Sequence, residues 1–179
     1  MTGNDWPAWA TEQVAIHPWD ASWHQQAADL IAVLQPPLER WLEGHIEHVG
    51  STAVDGLAAK PVIDLQAPVA SLVGSELAHG VLVEAGWHLV PPELDRRPWR
   101  RLWVLADGDR RVAHLHLIEA DHPRCQQTLA FRHRLRQQPA LAKQYEHLKR
   151  TAAQEYRSDR EAYTDAKAAF IRSVVADLP

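Results

Sequence analysis

The chain of 179 residues carries one cysteine, Cys125, and one methionine. A lone thiol closes no internal disulfide, so a disulfide-stapled secreted scaffold is excluded. Basic residues are nearly missing from the front half: through Val90, Arg40 and Lys60 stand against eleven acidic residues. No apolar run approaches the roughly 18 residues of a membrane span, and the N-terminus lacks a basic-then-apolar signal pattern. A cytoplasmic location with no membrane partner is the expectation. Repeats, low-complexity tracts and linkers are missing too. With 46% hydrophobic and 23% charged residues, the composition is that of a globular domain rather than a disordered chain. One domain over residues 1–179 with a sizeable core is expected.

What is present is uneven. From Pro91 onward seventeen basic residues face twelve acidic ones, so the two halves carry −9 and +5. Arginines outnumber lysines fifteen to four, and the planar arginine fork suits bidentate contact with phosphate or carboxylate. Solvated helix faces are the plain alternative. The balance fits an anionic ligand and is too modest for a large nucleic-acid surface. Five of the eight tryptophans fall within the first 41 residues, where they are expected to anchor an arm and a first helix.

Residues 1–18 have no clear period and read as an irregular N-terminal arm. Ser22 is placed to cap a helix with the stripe Trp23, Ala27, Leu30, Ile31, Leu34, Leu38, Trp41 and Leu42, kinked or broken at Pro36-Pro37 and ended by Gly44. His45 to Val49 reads as a short strand, followed by the turn Gly50-Ser51-Thr52. Pro61 opens a β-branched strand over 62–67 that puts Asp64 and Gln66 on one face and Ile63 and Leu65 on the other. Ser71 to Ala85 has helical spacing at Val73, Leu77, Val81 and Ala85, with Gly86 as C-cap. Strands are expected at 87–90, 101–105 and 112–118, the last two joined by a hairpin turn at Ala106-Asp107-Gly108-Asp109. Residues 121–178 read as a C-terminal helical layer: Asp121 caps one segment, Pro139 opens a second, and Ser158 with Glu161 forms a capping box for a third. The fold class is α+β, a mixed sheet flanked by helices with that layer on top.

The chemistry concentrates in His48-Val49-Gly50-Ser51-Thr52, Lys60-Pro61 and Val62-Ile63-Asp64. A strand ending in Gly-Ser before a helical turn presents N–H groups and hydroxyls to an anion. Thirteen residues beyond Ser51, Asp64 is placed to hold a metal beside that anion; positioning, donors and metal are what phosphoryl and nucleotidyl transfer require. A structural turn is the alternative for Gly50, Ser51 and Thr52. Asp64, inside an apolar run, needs a cation or metal, and Lys60, His114 or His116 are its candidate structural partners. Gln66 shares its face, to hydrogen-bond in the site or to reach solvent.

This stretch resembles the bacterial GrpB family, whose typical form reads His-x-Gly-Ser-Thr-x-x-x-Gly-Leu-x-x-Lys-Pro-x-Ile-Asp. The likeness continues in Leu115-His116-Leu117-Ile118-Glu119, in Phe131-Arg132-x-x-Leu135-Arg136-x-x-Pro139-x-Leu141, in Tyr145-x-x-Leu148-Lys149, and in Tyr163-x-x-Ala166-Lys167-x-x-Phe170-Ile171. It implies a nucleotidyltransferase-like mixed sheet with the site where the Gly-Ser turn meets the carboxylate strand. Some relatives are fused to dephospho-CoA kinases, which points to nucleotides or coenzyme A. The chain also departs from the superfamily. Asp64-Leu65-Gln66 stands where active members carry Asp-x-Asp, His114-Leu115-His116 where they carry a third carboxylate, and His133-Arg134 where the family usually has Asp-Tyr.

His114 and His116 point to one face of their strand. With Asp64 they form a candidate set for Zn²⁺, Mn²⁺ or Fe²⁺, less suited to Mg²⁺; general-base work or two hydrogen-bonded structural histidines are the other uses. His48 is read as packing support. Arg96, Arg97, Arg100 and Arg101 bracket Trp99, and of these Arg101 is the one expected to face the site. Lys60, Arg101, Arg132 and Lys167 are the candidate cations for a nucleotide or other phosphorylated small molecule, with Lys149 ambiguous. Three functions follow: metal-dependent nucleotidyl transfer, a non-catalytic ligand-binding or regulatory module, and a different transition-metal enzyme built on Asp64, His114 and His116.

Overall fold

The computed structural model describes Trp9 and residues 12–178; the rest of the expected arm lies outside the described residues. Its described part is irregular but anchored. His17 and Ala59 exchange main-chain hydrogen bonds of 2.8 and 2.9 Å, and Val14 is buried with Ala152, Ala153 and Tyr163.

A five-stranded mixed sheet forms the centre. Its strands are β1 (Glu47–Val49), β2 (Ile63–Val69), β3 (Trp87–Leu89), β4 (Arg100–Asp107) and β5 (Arg110–Glu119), in the order β1-β2-β5-β4-β3. β2 and β5 run parallel with Asp64 opposite His114 and Gln66 opposite His116; the other pairings are antiparallel. Strand alternation divides the sheet as expected. Ile63, Leu65, Trp87, Trp103, Ala113, Leu115 and Leu117 pack on one face against Trp23, Ala27, Leu34 and Leu38 of helix α1 (Ser22–Leu38). Asp64, Gln66, His114 and His116 occupy the other face.

The helix ends differ from expectation in instructive ways. Ser22 does not cap α1: it is the first helical residue, and its N–H goes to Asp20 Oδ1 at 2.8 Å. Pro36-Pro37 does not break the helix, because both fall in its last turn, where few hydrogen bonds remain to be lost, and the chain tightens into a 3₁₀ turn at Glu39–Trp41. Residues 71–85 are not one α-helix. A 3₁₀ turn over Gly74–Ala78 precedes α2 (His79–Glu84), and its three-residue period buries Leu72, Ser75 and Ala78 while Val73 and Leu77 are 72% and 78% exposed. A four-residue helix, α3 (Pro92–Asp95), then leads into β4.

The helical layer comprises α4 (Pro123–Gln137), α5 (Pro139–Glu155), α6 (Arg160–Ala166) and α7 (Ala168–Val174). Both expected caps shift by one residue: His122 Nδ1, not Asp121, accepts the Arg124 N–H at 3.2 Å, and Asp159, not Ser158, accepts that of Ala162 at 2.9 Å. The layer's core joins Phe131, Leu135, Tyr145 and Val174 to Val54 and Leu57, which holds the 51–60 segment beneath α5.

Candidate functional site

Gly50 is required twice over. Its φ of +73° favours glycine, and a Cβ there would stand 2.6 Å from Asp64 Oδ2. The end of β1 can therefore lie flat against the start of β2, where Val49 pairs with Asp64. The next residues form a 3₁₀ turn, Ser51–Ala53. The Thr52 hydroxyl lies 2.9 Å from His48 Nε2 and is engaged inside the loop, while the Ser51 hydroxyl meets the Tyr145 phenol. From α5, Glu146 accepts the Ala58 N–H at 3.2 Å and Lys149 Nζ donates to the Ala58 carbonyl. One helical turn thus clamps both sides of the residue two places before Lys60.

Asp64 sits between two imidazoles. His114 Nδ1 is 2.9 Å and His116 Nε2 3.5 Å from its Oδ1. Burial alone would raise the Asp64 carboxyl; the imidazole hydrogen bonds hold it well below the usual carboxylate range. Burial lowers His114 to about 4, and burial with the Arg100 charge lowers His116. Both rings are neutral at neutral pH.

Around this cluster opens a cleft of about 820 Å³ between the polar sheet face and the helical layer. Gly50, Ser51, Thr52, Lys60, Asp64, His114, His116 and Lys167 line it together, as expected from sequence. So do Arg97, Arg100, Arg111, Lys149 and Arg160, making seven cations against Asp64, Asp95 and Glu161. Burial first, then repulsion from Arg160, Lys167 and Arg111, lowers Lys60 to about 7. Lys167, packed 3.6 Å from the Tyr163 ring centroid, is lowered to about 7 by burial and by Arg160 and Arg97, against the opposing pull of Asp64. Lys149 reaches about 7 through burial and Lys167.

Three expected site residues lie elsewhere. Gln66 is on the right face but covered by α4, where its amide donates to the Cys125 carbonyl at 3.2 Å. Arg132 is buried and ties α4 to β1, with Nη1 2.8 Å from Glu47 Oε2 and 2.6 Å from the His48 carbonyl. Arg101 pairs with Leu117 and so belongs to the apolar face, where it meets Glu76 at 3.5 Å. Arg100, one residue earlier, pairs with Ile118 and takes the cleft face instead.

Arg111 and Arg160 were not legible. The β4–β5 register shifts between Leu105 and Ala106, leaving Val112 as the extra residue. Such a bulge reverses side-chain alternation, and Arg111 thereby reaches His114, with Nη1 3.4 Å from Nε2. Arg160 opens α6 beside Glu12 of the arm, a contact across 148 residues. For Arg100 a signal existed: strict alternation from Leu102, once the strand is started at residue 100.

The donor set does not fit two-magnesium catalysis, which needs several converging anionic oxygens: Asp64 supplies the one carboxylate and the Gln66 amide is turned away. For one transition metal, the ligand atoms of Asp64, His114 and His116 lie within 4.8 Å of one another, a workable spacing. The surroundings oppose it. A ligating imidazole normally donates its other N–H to an acceptor, whereas here both outer nitrogens face guanidinium donors.

The mixed α+β sheet with a polar cleft under a helical layer defines the class of protein, and comparison with known proteins supplies the family. The family model described as GrpB protein matches residues 13–177, and the chain belongs to the GrpB family. It is 30% identical over 135 residues to the glutamate-rich protein GrpB of Alkalihalophilus pseudofirmus, covering 74% of this chain and 78% of that one. It is 35% identical over 129 residues to a UPF0157 protein of Streptomyces coelicolor, covering 72% and 66%. The crystal structure of conserved protein GrpB from Enterococcus faecalis superposes with a TM-score of 0.79 at 27% identity, over 91% of this chain and 96% of that one. Among the described residues no helix is long and apolar enough to cross a membrane.

Proposed function

We propose that the cleft binds a phosphorylated small molecule of the nucleotide class, holding its phosphates with Lys60, Lys167, Arg97 and Arg160 beside the Gly50-Ser51 turn. The observation that carries this reading is the surplus of positive charge in the cleft, on Lys149, which is buried, and on Lys60, Lys167, Arg97 and Arg160, which are half-buried. Of the three acidic side chains lining the cleft, Asp95 is engaged by Arg100, Glu161 by Arg96, and Asp64 by the imidazoles. No described carboxylate lies within ion-pair reach of Lys60, Lys149 or Lys167. Buried ammonium groups without counter-charge are costly. A bound phosphate supplies that charge and raises the lysine pKa values, so binding takes up protons.

Calorimetric titration with ATP and with pyrophosphate, in buffers of different ionisation enthalpy, tests this. Binding with net proton uptake near neutral pH is expected. Lys60→Met or Lys167→Met should weaken it by about tenfold or more, the range for losing one charged hydrogen bond. Failure of every phosphorylated probe to bind sinks the reading. Product analysis with Mg²⁺ or Mn²⁺, with Asp64→Ala as control, separates a transferase from a non-catalytic binding module. The spacing of Asp64, His114 and His116 favours a second reading, a transition-metal enzyme, which stoichiometric Zn or Mn in freshly purified protein would support.

A further inference from the structure

The two arginines behind the imidazoles are themselves fixed. Arg100 Nε donates to Asp95 Oδ2 at 2.8 Å and Nη2 to Oδ1 at 2.5 Å, and the Asp95 side chain is 4% exposed. The remaining arm of the fork, Nη1, lies 2.7 Å from His116 Nδ1. A guanidinium has only donors, so Nδ1 accepts and the single proton of the neutral ring sits on Nε2, facing Asp64. The other side mirrors this. Arg111 Nε donates to the Trp9 carbonyl at 3.0 Å and its Nη1 faces His114 Nε2. The His114 proton therefore sits on Nδ1, also facing Asp64.

We propose that Arg100 and Arg111 are positioning residues that fix the tautomers of His116 and His114. Both rings then aim N–H donors at Asp64, and the cluster takes up no divalent metal while the arginines are in place. A metal beside Asp64 would need the inward nitrogens bare and the outer ones protonated, which sets an N–H against a guanidinium N–H on each side. The chain Asp95–Arg100–His116–Asp64–His114–Arg111 closes without an ion, through hydrogen bonds at every link but one and a 3.5 Å approach of His116 Nε2 to Asp64 Oδ1 at the other. It leaves neither imidazole a free lone pair, so both rings hold Asp64 in place and ionised. This inference excludes the transition-metal reading of the same three residues and does not depend on which phosphorylated molecule the cleft binds.

Nitrogen-15 NMR of the histidine rings in the full chain reads the tautomers directly, and Zn²⁺ titration of the same samples reads the consequence. In wild type the bare nitrogens should be His116 Nδ1 and His114 Nε2. Arg100→Lys keeps a cation for buried Asp95 but removes the fork from His116. It should move that ring toward the Nδ1–H tautomer and raise Zn²⁺ affinity by about tenfold or more, the usual weight of a partner behind a ligating imidazole. Arg111→Met should do the same for His114, and it strands no buried carboxylate if the first variant folds poorly. The proposal is overturned by a wild-type His116 with Nε2 bare, by tautomers unchanged in both variants, or by Zn²⁺ affinity equal in parent and variants.

Discussion

The two faces of the central sheet are made by the same strands and follow opposite physics. On the α1 side, Leu65, Ala113 and Leu115 are fully buried against aliphatic and tryptophan side chains, and each large apolar side chain so buried contributes about 1.5–3 kcal/mol. One residue over, the same strands present Asp64, His114 and His116 to a cleft crowded with cations. There burial works against the charges, lowering three lysines to about 7. The apolar face stabilises the molecule; the polar face is an arrangement the rest of the fold sustains. Unrelieved electrostatic cost concentrated in one cleft is the usual mark of a site organised around a ligand.

The largest test of this contrast is Leu115→Ala, in the middle of the apolar face. It should cost about 2–5 kcal/mol in chemical denaturation while leaving phosphate affinity of the folded fraction unchanged. On the other face Lys167→Met should do the reverse: a higher melting temperature at neutral pH by scanning calorimetry, with the weakened nucleotide binding already described. A variant that loses stability along with affinity would break the comparison.

The pH dependence of stability should also be lopsided. Lys60, Lys149 and Lys167 titrate near 7 when folded and near 10.5 when unfolded, so above pH 7 the unfolded chain holds protons that the folded one has shed. Raising pH through that window stabilises the fold. The rise slackens above pH 9.0, where the unfolded Cys125 sheds a proton that burial keeps on the folded thiol up to about 11, and it ends near 10.5 as the unfolded lysines lose theirs. On the acid side His48 and His114 sit near 4 folded against 6.5 unfolded, so stability falls as pH drops from 6.5 towards 4. Urea midpoints at about pH 5, 7 and 9 should therefore increase in that order, and Lys60→Met with Lys167→Met should flatten the upper step. A midpoint that is highest at neutrality would contradict the assignment. The smallest effect belongs to Arg101→Ala, whose pair with exposed Glu76 is worth about 0.2–1 kcal/mol. It should leave phosphate binding untouched, unlike Arg97→Ala.

Much of this is legible in the sequence. The Gly50-Ser51 turn, the facing of Asp64 against Ile63 and Leu65, and the common face of His114 and His116 follow from turn chemistry and strand period, which are local. The 71–85 segment misled because Val73, Leu77 and Val81 also satisfy an α-helical period, whereas the chain took a 3₁₀ turn that buries Leu72, Ser75 and Ala78. Arg132 misled because a cation beside apolar residues looks the same in sequence whether it faces a ligand or, as here, Glu47 and the His48 carbonyl.

By itself the sequence determined the family, the α+β class and the three side chains that meet at the centre of the cleft, because a motif and a two-residue period fix identity and side. Tertiary structure alone decided which cations complete it. The start of β4 at residue 100 turns Arg100 inward and Arg101 outward, the bulge at Val112 brings Arg111 to His114, and the docking of α6 on the arm places Arg160. Register, bulges and layer packing are set by contacts between segments many residues apart, and no local pattern encodes them.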